Sequence, residues 1–373
     1  MPDHSRPPSR GDRSGLADLT AQEQKSVTHS DFWIPETERE VYKRALGALN
    51  AAGVPYVVAG AYAIYAHTGI YRETKDLDLF VEPSGVVPAM RALKGAGFRA
   101  RLEQPHWLAK ALEGPGGEHF VDIIYGMGNG LALIDRDWYR YSRPSILAAT
   151  PVRMAPAEEL LWHRLFISER HRQDMADIVH LLACLGRHLD WRRIMDKTGE
   201  HWALLLAQLQ TYGYVYPEFA GVPDWVMTEL LDRARADMSR PRSGERVTRG
   251  TLISRFSFTI DVNEWGFRDL RGESVQRAEQ RPEVREIVMS DVWDECSKTV
   301  DQYQTRESGV GRVPGGRGES GLHSSPSAPP SEPAAAPRGA TAGGRPHPEA
   351  VSTPHSPLPT PGSSAEPTAE SRP

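Results

Sequence analysis

The spacing of hydrophobic residues predicts alternating helices and strands over the first half of the chain. Val41, Ala45, Leu46 and Leu49 repeat at helical spacing, and Gly53 is placed to end that helix. Further predicted elements are a strand over 54–60, a helix over 61–69, a strand over 76–82, a helix over 86–95, and strands over 97–103, 106–113 and 118–126. This order predicts an α+β fold whose core is a small mixed β-sheet with flanking helices.

The pattern becomes helical from Pro156 onwards. Apolar residues at helical spacing fill the stretch 155–186, and further helices are predicted over 190–199, 200–217 and 223–238. The two ends of the chain lack apolar periodicity, and the last one is rich in Pro, Gly, Ser and Ala. We therefore predict four segments: a disordered arm over 1–34, a sheet-containing core over 35–150, a helical domain over 151–303, and a disordered tail over 304–373.

The amino-acid composition argues against several classes of protein. The net charge of −5 gives no basic stripe typical of a dedicated nucleic-acid binder, although it leaves an RNA partner open. Two cysteines are too few for a disulfide framework or a cysteine zinc site. Because no apolar run reaches membrane-spanning length and no signal-peptide core is present, we predict a cytoplasmic protein without a membrane partner.

Two aspartates interrupt the predicted strand over 76–82. Asp76 and Asp78 stand in the sequence "KDLDLFVE", although aspartate is a poor strand former. Side chains alternate along a strand, so the two carboxylates project to one side, roughly 7 Å apart along the chain, while Leu77 and Leu79 take the other side. Neighbouring carboxylates repel unless a cation lies between them, and their oxygens are the ligands that Mg²⁺ prefers.

A third acid and a glycine turn this pair into a candidate phosphoryl-transfer site. Asp122 stands in the apolar strand "HFVDII", and three converging acids can hold two Mg²⁺ or Mn²⁺ ions that clamp the attacking and leaving oxygens. Asp122 is also the candidate for activating the acceptor hydroxyl. Gly60 lies between a strand and a helix, where free backbone N–H groups and the helix dipole favour a phosphate group.

The chain resembles the nucleotidyltransferase fold of the DNA polymerase β superfamily in "VAGAYAIYAHTG", "YRETKDLDLFV" and "FVDIIYG". A longer resemblance, over about residues 50–272, is to uncharacterised bacterial nucleotidyltransferases, and "ERHRQDMADIVHLL" is similar to a helix of abortive-infection toxin nucleotidyltransferases. The resemblance implies that Asp76, Asp78 and Asp122 are catalytic metal ligands, and that Gly60 and Ala61 bind ATP or another nucleoside triphosphate.

Two departures from the superfamily pattern are visible. The helix start is usually Gly-Ser or Gly-Gly, whereas this chain has Gly60-Ala61 and therefore lacks a serine hydroxyl for the phosphates. Where relatives tend to show lysine in a later helix, this chain has Arg164, which keeps the charge and changes its shape.

Further nucleotide-binding candidates are Arg72, Thr74, Arg164 and Arg170. Arg72 either contacts a phosphate or is a turn residue that faces solvent. Two interpretations also apply to the later arginines: they reach the triphosphate while Asp174 and Asp177 orient them, or the same residues form an ion-pair network that ties the helical half to the sheet. For the two aspartates we favour the network.

Two functional hypotheses follow. The first is a metal-dependent enzyme that moves a nucleoside monophosphate from a nucleoside triphosphate to a hydroxyl of a small molecule, an RNA end or a protein. The second is a non-catalytic relative that binds nucleotide or a partner protein, for example within a toxin–antitoxin pair. Retention of all three acids favours the enzyme, and the Gly60-Ala61 step keeps the second hypothesis open.

Overall fold

The computed structural model describes residues 34–74, 76–114, 119–169, 172–219 and 221–296. All of them fall within one compact unit, Met1–Gly311, and the second unit, Arg312–Pro373, lies outside the described residues. The predicted arm over 1–34 and tail over 304–373 also lie outside them, apart from Ile34. Ile34 is buried, and its carbonyl accepts a hydrogen bond from Arg39; the predicted boundary at residue 34 stays a prediction.

Within the described residues, eight strands form a single mixed sheet. They are β1 (Val57–Val58), β2 (Leu77–Phe80), β3 (Arg99–Gln104), β4 (Leu108–Glu113), β5 (His119–Ile124), β6 (Arg143–Leu147), β7 (Thr150–Met154) and β12 (Glu295–Cys296), in the spatial order β12-β3-β4-β5-β2-β1-β7-β6. Two two-stranded pairs stand apart from this sheet: β8 (Ser168–Glu169) with β9 (Arg172–Gln173), and β10 (Val247–Thr248) with β11 (Arg268–Asp269).

The helices flank the sheet in the first half and dominate the second half. They are α1 (Glu36–Ala51), α2 (Gly60–Thr68), α3 (Pro83–Gly95), α4 (Arg136–Arg140), α5 (Ala157–Arg164), α6 (Met175–Leu185), α7 (Trp191–Thr198), α8 (Trp202–Val215), α9 (Asp224–Ser239), α10 (Arg255–Asn263), α11 (Leu270–Glu279) and α12 (Pro282–Val288). Short 3₁₀ helices cover Gly199–His201 and Gly250–Leu252. This architecture confirms the predicted fold class of a mixed sheet with flanking helices followed by a helical half.

The predicted helical stretch over 155–186 is wrong in its middle, where the β8–β9 hairpin separates α5 from α6. Glu169 lies in this hairpin, and its carboxylate accepts hydrogen bonds from the Ser254 hydroxyl at 2.6 Å and the Arg255 N–H at 2.8 Å. These partners lie more than 80 residues away along the chain. Tertiary contacts therefore override the local helical preference, which a periodicity argument cannot detect.

One hydrophobic core runs through the sheet and the helices behind it. It includes Leu77 and Leu79 of β2, which are fully buried, and Leu181 and Leu182 of α6. The α2 helix packs against α6, and α6 packs against α5 and α8. The strand β7 also continues the sheet past the predicted domain boundary at residue 150, and that boundary stays a prediction. Within the described residues, no helix combines the length and apolarity needed to cross a bilayer.

The β6–β7 hairpin turns through two alanines with positive φ. Ala148 and Ala149 have φ of 49° and 55°, and Ala149 is exposed. Two-residue hairpin turns with positive φ at both central positions normally carry Asn-Gly, because a Cβ is unfavourable there. We expect Ala149→Gly to raise the free energy of unfolding by about 1 kcal/mol, as measured by urea denaturation.

A matched control is Ala207→Gly, at an exposed position within α8. There the same change should lower the free energy of unfolding by about 1 kcal/mol, since glycine disfavours a helix interior. Equal destabilisation by both variants would contradict the assignment of a strained turn.

Candidate active site

The predicted acids lie on two adjacent parallel strands. The register of β2 and β5 pairs Asp78 with Asp122, so both side chains leave the sheet on the same face at the same level. Asp122 is 7% exposed, and Asp78 is partly exposed. The β-strand alternation that the sequence predicted is therefore present, with Leu77 and Leu79 on the opposite face.

Gly60 lies directly against Asp78. It is the first residue of α2 and has φ of +57°. A Cβ added at Gly60 would lie 1.9 Å from Oδ2 of Asp78, which leaves no room for any other amino acid in this arrangement. The neighbouring Ala59 N–H donates to the Asp78 carbonyl at 2.9 Å, which fixes the strand to this turn. The carboxylate is thus held beside the N-terminal turn of a helix, with Ala61 as the next residue.

Asp76 and Thr74 belong to the segment that enters β2. Asp76 immediately precedes the strand and is partly exposed. The Thr74 hydroxyl donates to the Asp76 carbonyl at 3.2 Å and accepts from the Asp76 N–H at 3.4 Å. In this arrangement Thr74 shapes the backbone before β2, and its predicted contact with nucleotide stays a prediction.

Lys110 is a member of the site that the sequence did not indicate. It lies on β4, where the antiparallel register pairs it with Asp122. Its Nζ donates to Asp122 Oδ1 at 2.7 Å and lies 4.0 Å from the centre of the Phe120 ring. A lysine within the apolar strand "HWLAKALE" could have suggested a buried ion pair. The sequence alone does not give its partner, because the partner depends on the register between two strands.

Burial raises the pKa values of Asp78 and Asp122. The pKa of Asp122 rises to about 7 because burial disfavours its charge; Lys110 opposes the rise, and the Asp78 and Asp76 charges add to it. Burial also raises the pKa of Asp78, with Arg172 the main opposing charge and Asp76 reinforcing the rise. The acids therefore repel each other in a partly desolvated place, which is the electrostatic environment that a divalent cation would relieve.

Arg164 lies in a buried ion-pair network. Its guanidinium is 3% exposed, contacts Asp174 directly and lies 2.8 Å from Asp177 Oδ2. It also donates to the Gly60 carbonyl at 3.4 Å. This geometry agrees with the interpretation as a structural network that ties the helical half to the sheet. A contact of Arg164 with a triphosphate stays a prediction.

Two arginines at the edge of this network are more accessible. Arg72 pairs with Asp177 at 3.1 Å and its side chain is 45% exposed. Arg172, which the sequence argument did not select, pairs with Asp174 at 3.3 Å and is 52% exposed. Its charge also reaches Asp78, as the pKa of that carboxyl indicates. The predicted candidate Arg170 lies outside the described residues.

The donor chemistry of the acids fits Mg²⁺ or Mn²⁺. Asp76 and Asp78 offer carboxylate oxygens, and their carboxylates have no hydrogen bond or ion pair with another described side chain. No three His, Cys, Asp or Glu side chains of the described residues form a group that could hold a metal ion. Because Lys110 binds one oxygen of Asp122, the predicted three-ligand set stays a prediction.

Comparison with known proteins gives distant structural likenesses. No protein-family model matches the chain, and no curated protein matches it. The antibiotic-resistance factor ANT(2'')-Ia is 16% identical, covering 54% of this chain and 95% of that protein with a TM-score of 0.31. The lincosamide antibiotic adenylyltransferase LnuA is 17% identical, covering 40% and 98%, with a TM-score of 0.30. A nucleotidyltransferase-like protein of Paracoccidioides brasiliensis is 13% identical, covering 48% and 94%, with a TM-score of 0.29. At these values the likenesses carry no argument about activity.

The contact between Gly60 and Asp78 predicts a specific mutational effect. Gly60→Ala forces a Cβ into the Asp78 carboxylate and also strains a positive φ. We expect a loss of roughly 2–3 kcal/mol in the free energy of unfolding by urea denaturation, since overpacking and an unfavourable φ both contribute.

Gly53→Ala is the matched control, because Gly53 has φ of +65° and no atom lies within 4 Å of the added Cβ. Its expected loss is about 1 kcal/mol, from backbone strain alone. If the two variants were equally stable, Asp78 would not be packed against the Gly60 turn in solution.

Proposed function

We propose that the protein is a metal-dependent nucleotidyltransferase that moves a nucleoside monophosphate from a nucleoside triphosphate to a hydroxyl acceptor. The observation that carries this proposal is the pairing of Asp78 with Asp122 across adjacent parallel strands, with Asp78 packed against the first residue of α2. Strand acids beside a glycine-initiated helix bring cation ligands and phosphate-binding N–H groups to one place.

The residues around the acids suit a triphosphate. The N-terminal turn of α2, at Gly60 and Ala61, offers backbone N–H groups and the positive end of the helix dipole. Arg172 is a half-exposed cation whose charge reaches Asp78, and Arg72 is a half-exposed cation that pairs with Asp177. Arg164 supports this turn from behind through its bond to the Gly60 carbonyl. Nucleotide phosphates would therefore meet the backbone N–H groups of α2 on one side and the half-exposed guanidinium groups of Arg72 and Arg172 on the other.

Catalysis would rest on positioning and electrostatics. Asp76 and Asp78 would hold Mg²⁺ or Mn²⁺, which when bound neutralises the charge that develops on the phosphates. Three acids would allow the two-metal arrangement that the sequence predicts. Asp122 would accept the proton of the acceptor hydroxyl, and its raised pKa suits a group that must take up a proton near neutral pH.

The proposal is tested by label transfer. The protein is incubated with α-³²P-labelled nucleoside triphosphates, Mg²⁺ or Mn²⁺, and cell lysate, total RNA or small-molecule fractions as acceptors. Wild type should release pyrophosphate and label an acceptor, and Asp76→Ala with Asp78→Ala should lower the rate by at least about 10³-fold, because metal stabilisation supplies several kcal/mol.

Asp291→Ala is the control, since this carboxylate is 88% exposed and belongs to a surface ion pair with Arg91. Its transfer rate should equal that of wild type. Nucleotide binding without transfer to any fraction and without release of pyrophosphate would contradict the enzyme and favour the non-catalytic binding protein.

A further inference from the structure

Three charged side chains form a row across three adjacent strands. Lys110 on β4 pairs in register with Asp122 on β5, and Asp122 pairs in register with Asp78 on β2. All three therefore project from the same face of the sheet. Lys110 is hydrogen-bonded to Asp122 in this row. The Asp78 carboxylate lacks a side-chain partner among the described residues.

The position of the lysine is well defined. Its side chain is 15% exposed and that of Asp122 is 10% exposed. The ammonium lies between Asp122 Oδ1 at 2.7 Å and the Phe120 ring at 4.0 Å. Phe120 precedes Asp122 by two residues on β5, so the ring and the carboxylate lie on the same face. An ammonium with a carboxylate on one side and an aromatic face on the other is held by two independent attractions.

The hydrogen bond from Lys110 limits the ability of Asp122 to bind a metal ion. An ion shared by all three acids would need the Asp122 oxygens, yet Oδ1 already accepts a hydrogen bond from an ammonium ion. A divalent cation on that carboxylate would lie within a few ångström of this fixed positive charge and would be repelled by it. Asp76 and Asp78 accept no hydrogen bond on their carboxylates from a described side chain, although the charge of Arg172 reaches Asp78.

We propose that Lys110 takes the place of a second metal ion, so that the site binds a single divalent cation, on Asp76 and Asp78. This inference rests on the proposed nucleotidyl transfer and makes Lys110 a positioning residue. By holding Oδ1 of Asp122, Lys110 leaves Oδ2 to accept the proton of the acceptor hydroxyl. The acceptor oxygen then forms a bond to the α-phosphorus, and the bond from the α-phosphorus to the bridging oxygen breaks. Pyrophosphate leaves with that electron pair.

The number of Mn²⁺ ions bound per chain can be measured without nucleotidyl transfer taking place. Mn²⁺ is titrated into the full-length protein and followed by electron paramagnetic resonance, alone and with α,β-methylene-ATP. Wild type should bind one Mn²⁺ per chain with the spectrum of an isolated ion. Lys110→Met removes the charge and keeps much of the side-chain volume; it should gain a second Mn²⁺ with the spectrum of a spin-coupled pair. Lys110→Arg keeps the charge and should remain at one ion.

Several results would overturn the inference: a coupled pair in wild type, no Mn²⁺ bound to wild type, or a single ion in Lys110→Met. Circular dichroism verifies that each variant is folded, and if Lys110→Met does not fold, the wild-type count decides alone. The label-transfer rate of Lys110→Met should also fall roughly 10²-fold, with partial recovery in Lys110→Arg, as expected when a proton acceptor loses its orientation. Absence of transfer by wild type with one bound Mn²⁺ would refute the enzymatic activity and leave the ion count intact.

Discussion

The close approach of Asp78 to Gly60 constrains the whole candidate site. The carboxylate occupies the place where a side chain at Gly60 would begin, so any other residue at this position would have to displace Asp78. That contact places an acid beside the N–H groups of a helix start. The parallel register of β2 and β5 sets Asp122 beside Asp78 on the same face of the sheet. Gly60, Asp78 and Asp122 are therefore neighbours through one close contact and one strand pairing.

Holding these acids together costs free energy, and the surrounding residues offset part of it. Burial and mutual repulsion raise the pKa of both Asp78 and Asp122. Lys110 approaches from the sheet, and Arg172 approaches from the β8–β9 hairpin. The hairpin is tied in turn to the C-terminal part of the fold through Glu169, Ser254 and Arg255. The helical half thus contributes cations to a site whose acids belong to the sheet.

The helical half also contacts the Gly60 turn through the buried ion-pair network around Arg164. Arg164 binds both Asp174 and Asp177 and reaches the carbonyl of Gly60. Removing one partner would leave the other charges buried without compensation, which is strongly destabilising in proteins. The network therefore links the start of α6 to the Gly60 turn, and it explains why an arginine whose side chain is almost fully buried stands so close to the acids.

The sequence indicated the acids because strand alternation is a local property: Asp76 and Asp78 interrupt an apolar run, and Asp122 interrupts another. Convergence of the acids required that the strand of Asp122 lie beside the strand of Asp78, and the structure pairs β5 with β2. Lys110 and Arg172 were missed because their partners depend on strand register and on a hairpin held by distant residues. The β8–β9 hairpin itself was predicted as helix, since its stabilising contacts come from residues 254 and 255. Contacts between residues so far apart in the chain cannot be predicted from the local spacing of hydrophobic residues.

The central claim is that Asp76 and Asp78 bind a cation beside a triphosphate held at the Gly60 turn. The most direct measurement is a crystal structure of the full chain with Mn²⁺ and α,β-methylene-ATP, with anomalous diffraction recorded at the manganese edge. The account predicts an anomalous peak between the carboxylates of Asp76 and Asp78, with the phosphates at the N-terminus of α2. A manganese peak away from both aspartates, or a nucleotide bound elsewhere on the protein, would contradict it.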